Sequence, residues 1–262
     1  MLDLLIYLVA GVAVGLGSGL FGIGGGVIVV PVLLPVFAAQ GLSPDVAMHV
    51  AVASSLATIV VTTASSARAH WKLGNIVGQS LPWLMGGLVV GSFSGAQIAA
   101  AVPGRTLQII FGGFVLLLAL RMLLAGQVPA GRVMPPPPVV TGVGAVIGTV
   151  AGMVGIGGGA LIVPFLAWAG VEMRKAVGTS AASNLCVAIA GTLGFILAGV
   201  GEADLPDWST GYIYWPAVGG ITLASVFMAP LGAKLASRLP AQVLRRGFAA
   251  FLVVVGLKVL AG

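Results

Sequence analysis

The pattern Gly-x-x-Gly-Ile-Gly-Gly-Gly occurs twice in the chain, at Gly19 to Gly26 and again at Gly152 to Gly159. Runs of glycine permit positive φ and close backbone approach, so successive N–H groups can converge on an anion. Gly22, Gly24, Gly25 and Gly26, with Gly155, Gly157, Gly158 and Gly159, are therefore candidate anion-binding positions. The competing reading is that these glycines only let membrane helices pack closely. Repetition in matching frames, each copy followed five residues later by Pro31 or Pro164, favours a helix break at each motif. A helix restarting after such a break offers free N–H groups and a positive dipole end to a small anion. The literal Gly-x-Gly-x-x-Gly at Gly17, Gly19 and Gly22 does not indicate a dinucleotide site. Val150 replaces its first glycine in the second copy, and the required βαβ context is missing.

Neutral hydrogen-bonding residues follow each motif. Ser54, Ser55, Thr58 and Thr62 fall on one helical face, and Thr179, Ser180, Ser183 and Asn184 cluster at the matching place. Such donors suit an oxyanion, although Ser and Thr in membrane helices also bond their own backbone or join helices together. His49, one turn before Ser54, could exchange a proton if transport is proton-coupled, or could simply sit at the interface. Catalysis has little to work with. No carboxylate lies deep in an apolar stretch, Cys186 is the single cysteine, and His49 is the sole base available to a serine nucleophile there. No cofactor or metal is expected.

The elements that carry these residues are membrane helices. Hydrophobic residues make up 59% of the chain and charged residues 7%, and mean hydropathy is +1.15. A water-soluble surface needs roughly a quarter of residues charged. Continuous apolar runs rather than ten-residue alternation exclude a lipid-embedded barrel. Each half holds four apolar stretches: 2–39, 46–67, 78–101 and 106–126, then 139–169, 175–200, 211–236 and 241–261. About 20 residues cross the hydrocarbon as a helix, so the leading stretch of each half is too long for one span. The first is expected to divide into short helices at about 4–15 and 27–37, and the second likewise around Gly155 to Gly159. Residues 1–126 and 139–262 then form two repeat halves of one transmembrane domain, joined by a cytoplasmic proline-rich linker at 127–138. The first residues lack the basic leader of a cleaved signal peptide and are read as mature structure.

If both leading stretches return to the side they entered from, Arg68, Lys72, Arg121, Arg132, Arg174, Lys175, Lys234, Arg238, Arg245 and Arg246 share one side. Arg105 and Lys258 lie opposite. Basic loops are cytoplasmic, which leaves both termini extracytoplasmic and the halves inverted. The net charge of +6 thus reports orientation, not nucleic acid, because the bases are scattered singly without aromatic interleaving. Arg68, His70, Trp71 and Lys72 read as a basic aromatic loop anchoring the interface. Inverted repeats with broken helices suit alternating access around a midplane site. The expected fold is all-α and polytopic, each half a broken, re-entrant leading pair plus three transmembrane helices.

At the doubled glycine motif, at Ala176-Val177-Gly178-Thr179-Ser180 continuing to Ser183-Asn184, and at Gly74-Asn75-Ile76 after Lys72, the chain resembles the TauE/SafE family. Its members are sulfite and organosulfonate exporters, also called the toluene sulfonate uptake permease family. The resemblance spans the whole chain. It implies a coupled plasma-membrane carrier that exports small sulfur-containing anions. Met48-His49-Val50-Ala51 departs from the second-half Val177-Gly178-Thr179-Ser180, so the two halves of the site are expected to be unequal. A passive anion channel is the first alternative and a membrane-embedded enzyme the second. Expected partners are a small anion, membrane lipid and at most a second copy of the chain, with no nucleic acid.

Overall fold

The computed structural model describes residues 2–21, 25–78, 81–124, 133–236 and 241–261. Gly22, Gly24, Arg238 and linker residues 127–132, Arg132 among them, lie outside the described residues. The first half comprises α1 (Leu2–Phe21), α2 (Gly26–Ala39), α3 (Pro44–Lys72), α4 (Leu81–Ala101) and α5 (Gly104–Leu124). The second comprises α6 (Pro137–Val154), α7 (Gly159–Trp168), α8 (Met173–Ala198), α9 (Trp215–Ala236) and α10 (Ala241–Ala261), with a small hairpin before α9. Among the described residues, five helices, α3 to α6 and α8, are long and apolar enough to cross a membrane. The chain is a polytopic helical membrane protein.

Both leading stretches break at the glycines. Gly25 adopts φ 79° and its carbonyl accepts the N–H groups of Ile28 and Val29, which starts α2. Gly155, at φ 70°, ends α6 by donating its N–H to Ala151, and α7 restarts at Gly159. Only residues without a Cβ take such φ values without strain. In the first half the chain comes back: the Gln40 side chain just after α2 donates to the Tyr7 hydroxyl near the start of α1, at 3.1 Å.

Three boundaries differ from the sequence expectation. α1 runs through Gly15 to Phe21, because Gly15 packs against the Ser225 backbone of α9 and Gly17 against Ile28. α3 extends to Lys72, so Arg68, His70, Trp71 and Lys72 form a helical end rather than a loop. Pro44 supplies its first turn, where a missing N–H costs nothing, and the Ser43 hydroxyl accepts the Val46 N–H. Pro137 and Pro138, read as linker, begin α6 for the same reason.

Helices pair across the halves through close backbone contact. Gly87, Gly91 and Gly95 of α4 face Thr141, Ala145 and Thr149 of α6, while Gly144, Gly148 and Gly152 face Leu84, Leu88 and Ser92. Residues four apart share a helix face, so this is a two-sided small-residue seam that lets parallel backbones touch. Its counterpart joins α1 to α9, with Gly11 against Ile221 and Gly15 against Ser225, also parallel. α5 and α10 run antiparallel: Gly112 meets Gly256, and Gln108 donates to the Val259 carbonyl at 2.5 Å. Most of α3 from Val46 to Ile59 is buried, as is the length of α8 bearing Ser180, Ser183 and Asn184.

The hairpin between α8 and α9 was not expected. β1 (Ser209–Thr210) pairs antiparallel with β2 (Ile213–Tyr214) around Gly211, at φ 53°. Tyr212, at its turn, is 6% exposed and packs edge-on to Phe195.

Candidate functional site

The two glycine breaks meet on α3. A methyl group at Gly26 would overlap the Gly155 carbonyl oxygen and lie 2.8 Å from the Ile156 Cα, so the start of α2 rests on the break between α6 and α7. The Ser55 hydroxyl donates to the Gly155 carbonyl at 2.7 Å, with the Gly26 carbonyl 3.5 Å away. A membrane interior cannot hydrate such carbonyls, which is why a hydroxyl stands there.

On the other side of the break, Asn184 of α8 accepts the Gly158 N–H at 2.6 Å through Oδ1. Gly157, at φ 78°, lets the backbone pass so near that an added Cβ would stand 2.6 Å from that oxygen. Leu161 and Ile162 donate to the Gly158 carbonyl, whereas Gly159 and Ala160 begin α7 and have no carbonyl within their own helix. The position a Gly159 Cβ would take lies 3.7 Å from Ser180 Oγ and 3.9 Å from Asn184 Nδ2. A helix N-terminus, an amide NH2 and a hydroxyl thus surround one small space. Ser183, also on α8, is fully buried and its hydroxyl has no partner among the described residues.

The first-half hydroxyls are otherwise engaged. Ser54 accepts the Tyr214 N–H at 3.0 Å, and Thr58 and Thr62 donate back to their own helix. Thr179 accepts the Val77 N–H at 2.9 Å, closing the segment after α3 onto the start of α8. The structure therefore brings Gly25, Gly26, Ser55, Gly155, Gly157, Gly158, Gly159, Ser180 and Asn184 to one centre. It leaves Ser54 and Thr179 holding other segments and Thr58 bonded within α3.

His49 lies apart, 5% exposed where α3 meets the α4–α5 corner. Its Nδ1 is 2.6 Å from the Asp45 carbonyl, its Nε2 is 2.9 Å from the Ala99 carbonyl and 3.1 Å from the Val102 carbonyl, and its ring stacks on Tyr212. The Asp45 carboxylate accepts the Gly104 N–H at 2.8 Å. Tyr212 donates to Glu202 at 3.5 Å, and burial, then the Glu202 charge and this hydrogen bond, push its phenol above the usual range. Tyr212 and Tyr214 escaped the sequence reading, although alternation around a glycine in Ser209-Thr210-Gly211-Tyr212-Ile213-Tyr214 is a hairpin signal. No group of three His, Cys, Asp or Glu side chains that could hold a metal occurs among the described residues.

Residues 7–259 match the family described as Sulfite exporter TauE/SafE. A probable membrane transporter protein of Haemophilus influenzae is 38% identical over 257 residues, spanning 97% of both chains. Others from Methanocaldococcus jannaschii and Bacillus subtilis are each 28% identical, over 98% and 99% of this chain and 95% and 83% of their own. No solved structure matches the chain. With nearly its whole length inside the family's bounds and its glycine motifs forming paired helix breaks, this chain belongs to the TauE/SafE family of membrane transporters.

Proposed function

We propose that the chain is a secondary transporter that exports a small sulfur-containing anion, such as sulfite or an organosulfonate, across the plasma membrane. The family description supports the substrate class, and the relatives' names support transport. The carrying observation is the set of donors gathered beside Gly159: the first N–H groups of α7, the Asn184 NH2 and the Ser180 hydroxyl. These donors are neutral, so they can hold a sulfur oxyanion without fixing it as a permanent salt pair. That weak hold suits a cargo that must leave.

Alternating access is the proposed mechanism, with the halves inverted and both termini extracytoplasmic. The antiparallel run of the equivalent helices α5 and α10 and the return of α2 beside Tyr7 favour it. No catalytic step is proposed. The alternative is a passive anion channel, and proteoliposomes separate the two. A carrier saturates and exchanges labelled sulfite against internal sulfite; current without exchange means a channel.

The site is tested by Gly159→Ala. The added methyl meets only ordinary contacts, so folding is retained, yet it stands between Ser180 and Asn184. Sulfite and sulfonate transport should fall at least about tenfold, equivalent to roughly 1.4 kcal/mol of lost binding. Unchanged kinetics would remove the site.

A further inference from the structure

A carbonyl oxygen can only accept a hydrogen bond, and His49 has carbonyl oxygens on both ring nitrogens. A neutral imidazole carries one N–H, so either tautomer would turn a bare nitrogen lone pair toward a carbonyl at hydrogen-bond distance. Only the doubly protonated ring satisfies Asp45 on one side and Ala99 and Val102 on the other. Two neighbours turn a negative end or face toward the ring. The Ala99 and Val102 carbonyls lie at the C-terminal end of α4, the negative end of the helix dipole. The Tyr212 ring stacks on the imidazole at 5.2 Å, within the range at which an aromatic face attracts a cation.

Tyr212 belongs to the hairpin that covers this end of the molecule. Tyr214, two residues on, packs edge-on to Tyr7 and Phe37 and donates its N–H to Ser54, so the hairpin spans from His49 to the start of the polar face of α3. We propose that protonated His49 latches this hairpin shut over α3, and that loss of its proton releases the hairpin. Resting on the proposed topology, which puts this hairpin on the outer face, the latch makes that face responsive to pH beyond transport itself.

The groups facing His49 are few. On its own helix is the Asp45 carboxylate, occupied by the Gly104 N–H. From the hairpin comes Tyr212, whose raised phenol stays neutral near physiological pH, with Glu202 behind it. At the α4–α5 corner Arg105 turns toward Gln108 and the Leu260 carbonyl. α8 contributes the apolar Phe195 through its contact with Tyr212. The closed arrangement holds one proton more than the open one, so by linkage rising pH drives opening.

The chain has two histidines, His49 and His70, so nitrogen-15 NMR of histidine-labelled protein reads the ring directly, with His70→Gln as the assignment control. His49 should show two protonated nitrogens at about pH 6. One bare nitrogen there overturns the proposal whether or not any variant folds. Hydrogen exchange of the 208–215 segment, corrected for intrinsic rates, should lose protection by up to about tenfold per pH unit once the ring deprotonates. His49→Gln should remove that dependence and Glu202→Gln should keep it. Equal pH dependence in wild type and His49→Gln, or its loss in Glu202→Gln, refutes the latch. Neither measurement needs a transported substrate.

Discussion

Replacing Ser183 with alanine removes a buried hydroxyl that has no partner among the described residues. A hydroxyl left unpaired costs desolvation, so its deletion should leave stability within about 1 kcal/mol of wild type, or raise it. Ser55→Ala is the contrast, since it strips the Gly155 carbonyl of its donor and should lower stability by about 1 kcal/mol or more. If Ser183 serves the anion, its alanine variant should transport sulfite about tenfold less well while melting normally. Equal transport would assign the hydroxyl no part in binding. At this scale the chain was partly legible in sequence. Asn184 and the paired glycines stood out because their types are costly in a membrane unless used. The division of labour between Ser54 and Ser180 did not, because a hydroxyl's partner is set by which helix lies opposite. No spacing within α3 shows that Tyr214, 160 residues away, takes Ser54.

Helices are held here by approach of backbones rather than by burial against water, since lipid is as apolar as the helix faces. This fixes which glycines matter. An added Cβ at Gly91 would strike the Ala145 carbonyl of the facing helix, whereas one at Gly113 meets nothing within 4 Å. Gly91→Leu should therefore destabilise the protein by about 1–3 kcal/mol or more through overpacking, visible as a lower melting temperature in detergent. Gly113→Ala should be neutral or gain about 0.5–1 kcal/mol from helix propensity. Equal effects would mean that the α4–α6 seam is not what ties the halves together. Hydropathy made most spans legible, and the glycine motifs made the breaks legible. It could not show that α1 would run on through Gly15 and Gly17, because the contacts that sustain it come from α9 and α2. The Ser209–Tyr214 hairpin was hidden for another reason: its short alternation around Gly211 is easily passed over between two long apolar runs.

Across the whole molecule, one question separates the readings: whether each leading pair turns back or passes through. The segment after α3 reaches α8 through Val77 on Thr179, and the segment after α8 reaches α3 through Tyr214 on Ser54; the proposed repeat makes the two segments equivalent. Between them lie α4, α5, the broken pair α6–α7, and α8. If α6–α7 returns, three crossings separate the segments and they face opposite sides; if it passes through, four crossings bring them to the same side. Lys72, at the end of α3 where the first segment begins, and Asp207, within the second, are both exposed. In a Cys186→Ser background, which leaves no native thiol, an impermeant maleimide applied to intact cells should label Asp207→Cys at once. Under the proposed topology Lys72→Cys should react only after permeabilisation, because basic loops favour the cytoplasm. Labelling of both from outside would mean that the halves are not inverted, and rocking of one half against the other around the Gly159 site would lose its structural basis.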